Sequence, residues 1–269
     1  MTDGMAPIKP VYTADNCREA FQLNWSLSVF WARTPPCPES WLDQLQDVTE
    51  RDGVRILEHR LSDSATSQFL VSTRPENAPP TIAQSIKGRL QYLVRDTVPK
   101  PFRRNYGLRS IGSARAEVVE EYVRGQPGHH RMADARVQER LAGLRIEGAG
   151  TDLRAPRVSG HAQFCYNLHL VLVNAQRGCD VRAETLIRRR DRIVSAAAKK
   201  GHLLGDGSLL ADHLHFTLGC PLTESPREIA LSYLNNLAYV EGMKHVFEFG
   251  FYVGTYGEYD LGAVRLRLG

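Results

Sequence analysis

The chain has 269 residues, 42% of them apolar and 24% charged, with a formal net charge of +4. That length buries a sizeable core as two modest domains or one large one, and the mild positive charge permits nucleic acid as a partner without demanding it. No apolar run approaches the roughly 20 residues that span a bilayer, and five scattered cysteines without a C-x-x-C pair or a signal peptide predict reduced thiols in a cytosol.

In chain order, residues 1–15 read as a loose tail. "FQLNWSLSVFW" (Phe21–Trp31) reads as a strand, and "ESWLDQLQDVTERDG" as a helix closed by Gly53 in a left-handed cap. Two short strands follow, then a Pro-initiated amphipathic helix near Pro80 and a Gly-rich strand, "YGLRSIG". "GSARAEVVEEYVRGQPG" (Gly112–Gly128) predicts another helix, with Ser113 as N-cap and Pro127 as its stop. Within it Tyr122 and Gln126 are spaced i, i+4 and point from one face. From Pro127 to Ala162 a central helix is expected, then a polar linker, "EGAGTDLRAPRVSG". The order then recurs: a strand "FCYNLHLVLV" (Phe164–Val173), a helix ending at Gly201, two strands, a helix from near Pro226, and the strand "FYVGTYG".

This recurrence is an internal repeat. Thr66–Leu93 aligns with His213–Val240 without a gap, placing Phe69 on Phe216, Ile82 on Ile229, Ala83 on Ala230, Leu90 on Leu237 and Tyr92 on Tyr239. Strands and helices alternating over about a hundred residues per half predict helices packed on a sheet, as α/β or α+β. The expected division is 1–15 tail, 16–126 first domain, 127–160 helix and linker, and 161–269 second domain.

The stretch "ADHLHFTLG" (Ala211–Gly219) alternates like a strand and puts His213 and His215 on one face about 7 Å apart, with Leu214 toward the core. Two such imidazoles either share a divalent ion or are half-buried and hydrogen-bonded to neighbours. "HFT" also matches half of the paired H-x-T signature of two-histidine phosphoesterases, but no second H-x-T or H-x-S occurs. His129 and His130, just past the Tyr122 helix, are placed to reach a metal but read rather as loop residues, and His169 is a candidate neighbour of the pair. Lys87, Arg89, Arg103 and Arg104 form one basic patch; Arg188, Arg189, Arg190, Arg192, Lys199 and Lys200 form a second. Either can track a phosphate backbone or be a solvated helix face.

His-hydrophobic-His on a strand, a following helix, a "G-T-x-G" strand and "EEYVRGQ" on a helix together resemble the single-tyrosine HUH transposases, which include the REP-associated tyrosine transposases. The resemblance spans about 21–126 and 164–257. It implies an α+β chain of two tandem ferredoxin-like, HUH-type domains forming an intramolecular pseudo-dimer. It further implies that Tyr122 attacks the scissile phosphate of single-stranded or hairpin DNA, and that His213, His215 and Gln126 hold Mg²⁺ or Mn²⁺. The setting would be a bacterial cytoplasm at the nucleoid. The halves depart from the family in complementary ways. Thr66 and Gln68 stand where the second half has His213 and His215, and Arg267 falls at the place of Tyr122 with no counterpart of Gln126 after it. One composite site from both halves is therefore expected, acting as a nuclease or strand transferase, with a non-cleaving nucleic-acid-binding protein as the alternative. A hydrolase using the two histidines and water is a further alternative.

Overall fold

The computed structural model describes residues 9–148 and 150–257, which form two sheets and six α-helices in an α+β arrangement. In chain order these are β1 (Arg18–Gln22), β2 (Asn24–Trp31), α1 (Leu42–Arg51), β3 (Val54–Asp63), β4 (Thr66–Thr73), α2 (Pro79–Val94) and β5 (Phe102–Ile111). Then come α3 (Ala116–His129), α4 (Ala135–Gly143), β6 (Arg157–Ser159), β7 (Ala162–Cys165) and β8 (Asn167–Val173). The last are α5 (Ala183–Lys200), β9 (Leu203–Leu209), β10 (His213–Gly219), α6 (Pro226–Val240) and β11 (Gly250–Thr255).

The helices form where the sequence repeats apolar residues at helical spacing. In α2, Ile82, Ile86 and Leu90 are fully buried; in α6, Ile229, Tyr233 and Leu237 are buried at the same spacing. Both begin with a proline in the first turn, and Ser225 adds a capping box with Glu228 to α6. Gly53 and Gly201 adopt φ of +77° and +68° just past α1 and α5, a conformation that costs glycine no Cβ strain.

The first sheet runs β3-β4-β2-β5-β7-β6 and the second, read from the equivalent edge, β9-β10-β8-β11-β1. The four leading strands of each sheet have the same order relative to the chain. Their register matches too: Asn24 faces Ser72 across β2 and β4, and Asn167 faces Gly219 across β8 and β10. Thr66 and Gln68 thus occupy in one sheet the places of His213 and His215 in the other.

The fifth strand of each sheet comes from the other half of the chain. β1 lies parallel to β11, with Arg18 beside Gly250, and β7 lies parallel to β5, with Tyr106 beside Ala162. Each expected opening strand is therefore two strands in two sheets, broken at the buried Leu23 and Tyr166. Tyr166 packs on Trp25 with ring centres 5.1 Å apart. A reciprocal set of hydrogen bonds joins the sheets along this seam. The Asn24 amide donates to Thr255 Oγ1 (2.8 Å), whose hydroxyl donates to the Ile111 carbonyl (2.6 Å). The Asn167 amide donates to Ser110 Oγ (2.9 Å), whose hydroxyl donates to the Tyr256 carbonyl (2.8 Å).

Three further expectations change. The tail is anchored from Val11: the Val11 and Tyr12 amides donate to Asn235 Oδ1, and the buried Tyr12 hydroxyl donates to the Phe247 carbonyl at 3.0 Å. The polar linker contains β6, which pairs antiparallel with β7 and extends the first sheet. Helix α3 begins after Arg115 rather than at Ser113, with no side-chain cap, and runs through Pro127 to His129. Proline has no N–H to offer the carbonyl four residues back. That carbonyl, of Val123, instead accepts from the buried Ser208 hydroxyl of β9 at 2.6 Å. The proline that reads as a stop is thus a point where the helix bonds to its neighbouring sheet.

His59 on β3 sits against Phe69 and Trp41, ring centres 4.7 and 5.0 Å away. Burial lowers its pKa from 6.5 to about 4. The unfolded chain therefore binds the proton more readily, so this residue's effect is absent above about pH 6.5 and destabilises progressively as pH falls toward 4. Urea midpoints for native protein and His59→Phe are expected to converge on acidification from pH 7 to pH 5, with the variant losing less stability over that interval.

Candidate functional site

Helix α3 follows β5 of the first sheet and packs across β9 and β10 of the second. Three contacts hold it there: the Ser208–Val123 bond, an ion pair between Arg124 and Asp206 at 3.0 Å, and a bridge between Arg115 and Gly257. This docking carries Tyr122 onto the histidine face of β10. Its ring centre lies 5.8 Å from that of His215, 6.4 Å from His169 and 6.5 Å from His129, and the ring is 49% exposed. Of the expected pair, His215 is the one whose ring Tyr122 meets.

Alternation along β10 turns Leu214 and Phe216 toward α6, where Phe216 meets Tyr233, and turns His213 and His215 toward α3. The two imidazoles are buried, with ring centres 4.8 Å apart. Each has its Nδ1 occupied. His213 Nδ1 lies 2.6 Å from Asp212 Oδ1, and His215 Nδ1 lies 3.0 Å from His169 Nε2. The carboxylate beside His213 favours a proton on Nδ1 and a lone pair on Nε2. Among the described residues neither Nε2 has a hydrogen-bond partner. Burial, reinforced by the neighbouring imidazoles, lowers the pKa of His215 to about 2, and burial lowers that of His169 to about 4. At neutral pH both rings are uncharged and can donate lone pairs.

Gln126 is buried one turn beyond Tyr122, but its Nε2 donates to the Tyr122 carbonyl at 3.3 Å. Among the described residues no hydrogen bond joins it to either imidazole. Nor do three or more His, Cys, Asp or Glu side chains there form a set arranged to hold a metal ion. Two residues underweighted in the sequence belong to the site. His130, expected as a loop residue, caps α3 and meets His213 edge-on at 4.9 Å, and His169 stacks on His215 at 5.2 Å. Asp212 also belongs to the site, and its place next to His213 in "ADHLH" is the sequence signal for it. Arg267 lies outside the described residues.

In the first sheet the corresponding polar pair is Gln68 and Ser26, joined by a 2.6 Å hydrogen bond where the second has His215 and His169. Neither side chain is an imidazole.

The basic patches divide sharply. Arg189 is buried, paired with Glu241 at 3.0 Å, and stacked over Phe247, so it is a core residue rather than a nucleic-acid contact. Arg188 shares Glu241, Arg190 pairs with Asp191, and Lys200 with Glu224. Lys87 donates to the carbonyls of Arg103 and Arg104 and is partly desolvated, which lowers its pKa; Arg89 is held by Asp52. Arg103, Arg104 and Lys199 are exposed, and Arg192 is half-buried over Tyr239.

Among the described residues no helix is long and apolar enough to cross a membrane. No family model and no curated protein matches the chain. It is similar to a solved structure described as an unknown protein from Galdieria sulphuraria, with 9% identity, covering 87% of this chain and 97% of that one, at a TM-score of 0.23. That likeness carries no weight for fold or function.

Proposed function

We propose that this chain is a metal-dependent single-stranded DNA endonuclease and strand transferase acting through a phosphotyrosine at one composite site. The observation that carries this reading is the meeting of Tyr122 with His215, ring centres 5.8 Å apart, on elements from opposite halves of the chain. The matched strand order and the reciprocal seam support reading the halves as a pseudo-dimer of HUH-type units, with an interface self-complementary in the way of a two-fold dimer.

The residues fit a divalent ion through two imidazoles, each backed at Nδ1 by a partner, a common second shell for metal-binding histidine. Mg²⁺ or Mn²⁺ would be held by His213 and His215 through Nε2, with Gln126 as the third candidate. When bound, the ion supplies charge that polarises the scissile phosphate and steadies the charge developing on it. The Tyr122 oxygen attacks phosphorus, the bond from phosphorus to O3′ breaks, and the strand on the 3′ side of the break stays on the tyrosine through its 5′ phosphate. The phenolic proton passes to water at the half-exposed ring, and O3′ leaves as a hydroxyl by taking a proton from water. Attack by another strand's 3′ hydroxyl reverses these bonds and rejoins DNA. Asp212 and His169 orient the imidazoles, while Ser208 holds α3 in place. With one tyrosine site per chain, nicking and rejoining fit better than a full excision-and-insertion cycle, and a bacterial nucleoid setting suits that substrate.

The test is incubation with Mn²⁺ and labelled single-stranded hairpin DNAs beside Tyr122→Phe and His213→Ala. A denaturation-resistant protein–DNA adduct lost in both variants supports the composite site. Cleavage that survives Tyr122→Phe points to a hydrolase using water. Tight binding without cleavage favours a transposase-derived binding protein, the second reading, which the inward bond of Gln126 favours. Asp212→Asn is expected to weaken Mn²⁺ binding about 10- to 100-fold, read by calorimetric titration, without a change in fold by circular dichroism.

A further inference from the structure

Helices α5 and α6 cover the face of the second sheet opposite His213 and His215, and their outer surface carries features the composite site does not use. Tyr239, near the end of α6, is 53% exposed, and the Arg192 guanidinium of α5 lies 5.1 Å from its ring centre. Its repeat counterpart on α2, Tyr92, is 62% exposed with Arg95 at 4.1 Å. The two halves differ at Thr66 and His213, yet both keep an exposed tyrosine against an arginine, where core packing calls for neither.

The α6 pair differs from the α2 pair in its charge. Arg95 faces the carboxylate of Asp96 at 3.7 Å. Among the described residues Arg192 and Lys199 have no carboxylate partner, whereas Arg188, Arg189, Arg190 and Lys200 all do. The two unneutralised cations border one hollow of about 350 Å³, shared with Ser195, Ala196, Lys200 and Asn236. Arg192 Nε is buried without a hydrogen-bond partner, so the guanidinium is positioned by the tyrosine ring rather than by an acid. Two unneutralised cations at the hollow and, against Arg192, a half-exposed tyrosine ring match a phosphate and an unstacked base.

We propose that Tyr239, Arg192 and Lys199 form a docking platform for single-stranded nucleic acid, remote from Tyr122, with a base stacked on Tyr239 and the backbone phosphate beside the two cations. The choice of DNA as the strand rests on the proposed nuclease function. Paired bases keep their faces stacked on one another, so a duplex cannot use the ring in this way.

The test is fluorescence anisotropy with a labelled oligothymidylate of about 12 nucleotides, within the roughly 4–16 nucleotides such sites cover. Tyr239→Ala is expected to weaken binding roughly 5- to 100-fold and Tyr239→Phe to leave it within about twofold. Lys199→Ala should lower the slope of log affinity against log salt by about 0.7, and Tyr92→Ala should change affinity less than twofold. Unchanged melting of the Tyr239→Ala protein separates lost contact from lost fold. The platform is overturned if Tyr239→Ala binds within twofold of native, if Tyr239→Phe loses as much as the alanine variant, or if a duplex of equal length competes equally. Parallel adduct assays separate the two ideas. An adduct with Tyr239-independent binding leaves the composite site and removes the platform; Tyr239-dependent binding without an adduct does the reverse.

Discussion

In Tyr122→Phe protein the proposed covalent adduct is expected to be absent and strand cleavage to fall at least about 10³-fold, as when a nucleophile is removed from groups that act as a unit. Only the hydroxyl is lost. The ring keeps its places beside His129, His169 and His215, and because it is half-exposed the fold does not depend on it. Single-strand binding should stay within about twofold of native. Mixing this variant with His213→Ala gives a sharper result. The docking of α3 on β9 and β10 places Tyr122 and His213 in the same molecule, so two singly broken chains should not restore the adduct on a denaturing gel. Recovery of the adduct in the mixture would mean that the working site forms between molecules.

Thr255→Val is expected to cost about 3 kcal/mol. The substitution keeps the shape of the side chain but strands the buried Asn24 amide and deprives the Ile111 carbonyl of its donor. Each unsatisfied buried group costs about 1–3 kcal/mol. Ser110→Ala, which breaks the reciprocal contacts to Asn167 and Tyr256, should cost a similar amount. Urea unfolding followed by tryptophan fluorescence and by circular dichroism measures both. Because each hydroxyl bonds to the other half, the two probes should report one coincident transition in native protein. A loss below 0.5 kcal/mol in either variant would show that the seam contributes little.

Helices α2, α5 and α6 were legible from apolar spacing and from the residues at their ends, Pro80, Gly201 and Pro226, because those signals are local. The pairing of Thr66 with His213 was equally legible, since a gapless repeat fixes register once one sheet position is known. The split at Leu23 and Tyr166 was not. A period of two reports which residues share a face, but says nothing about which neighbour a strand chooses, and one buried residue between two strands leaves the pattern intact. Pro127 misled for a related reason: its missing N–H is a local defect whose remedy, the Ser208 hydroxyl, is 81 residues away. At the site, Tyr122, His213 and His215 could be found by type and spacing. His169 and Asp212 were legible only as neighbours of the pair, because their roles come from which ring nitrogen they face.

The exchange of edge strands also bears on how the chain is made. Arg18 of β1 emerges from the ribosome early, while its partner Gly250 is synthesised 232 residues later. At about 5–20 residues per second, β1 waits on the order of ten seconds or more without its neighbour. For the early part of that wait, until residues 162–165 emerge, the first sheet also lacks β7, so β5 presents an open row of amides and carbonyls, the kind of edge that recruits foreign strands. Dividing the gene between the halves would make that exposure permanent in each product until the two polypeptides met. Linking them in one chain sets a high local concentration of each missing strand, and so favours correct closure over aggregation.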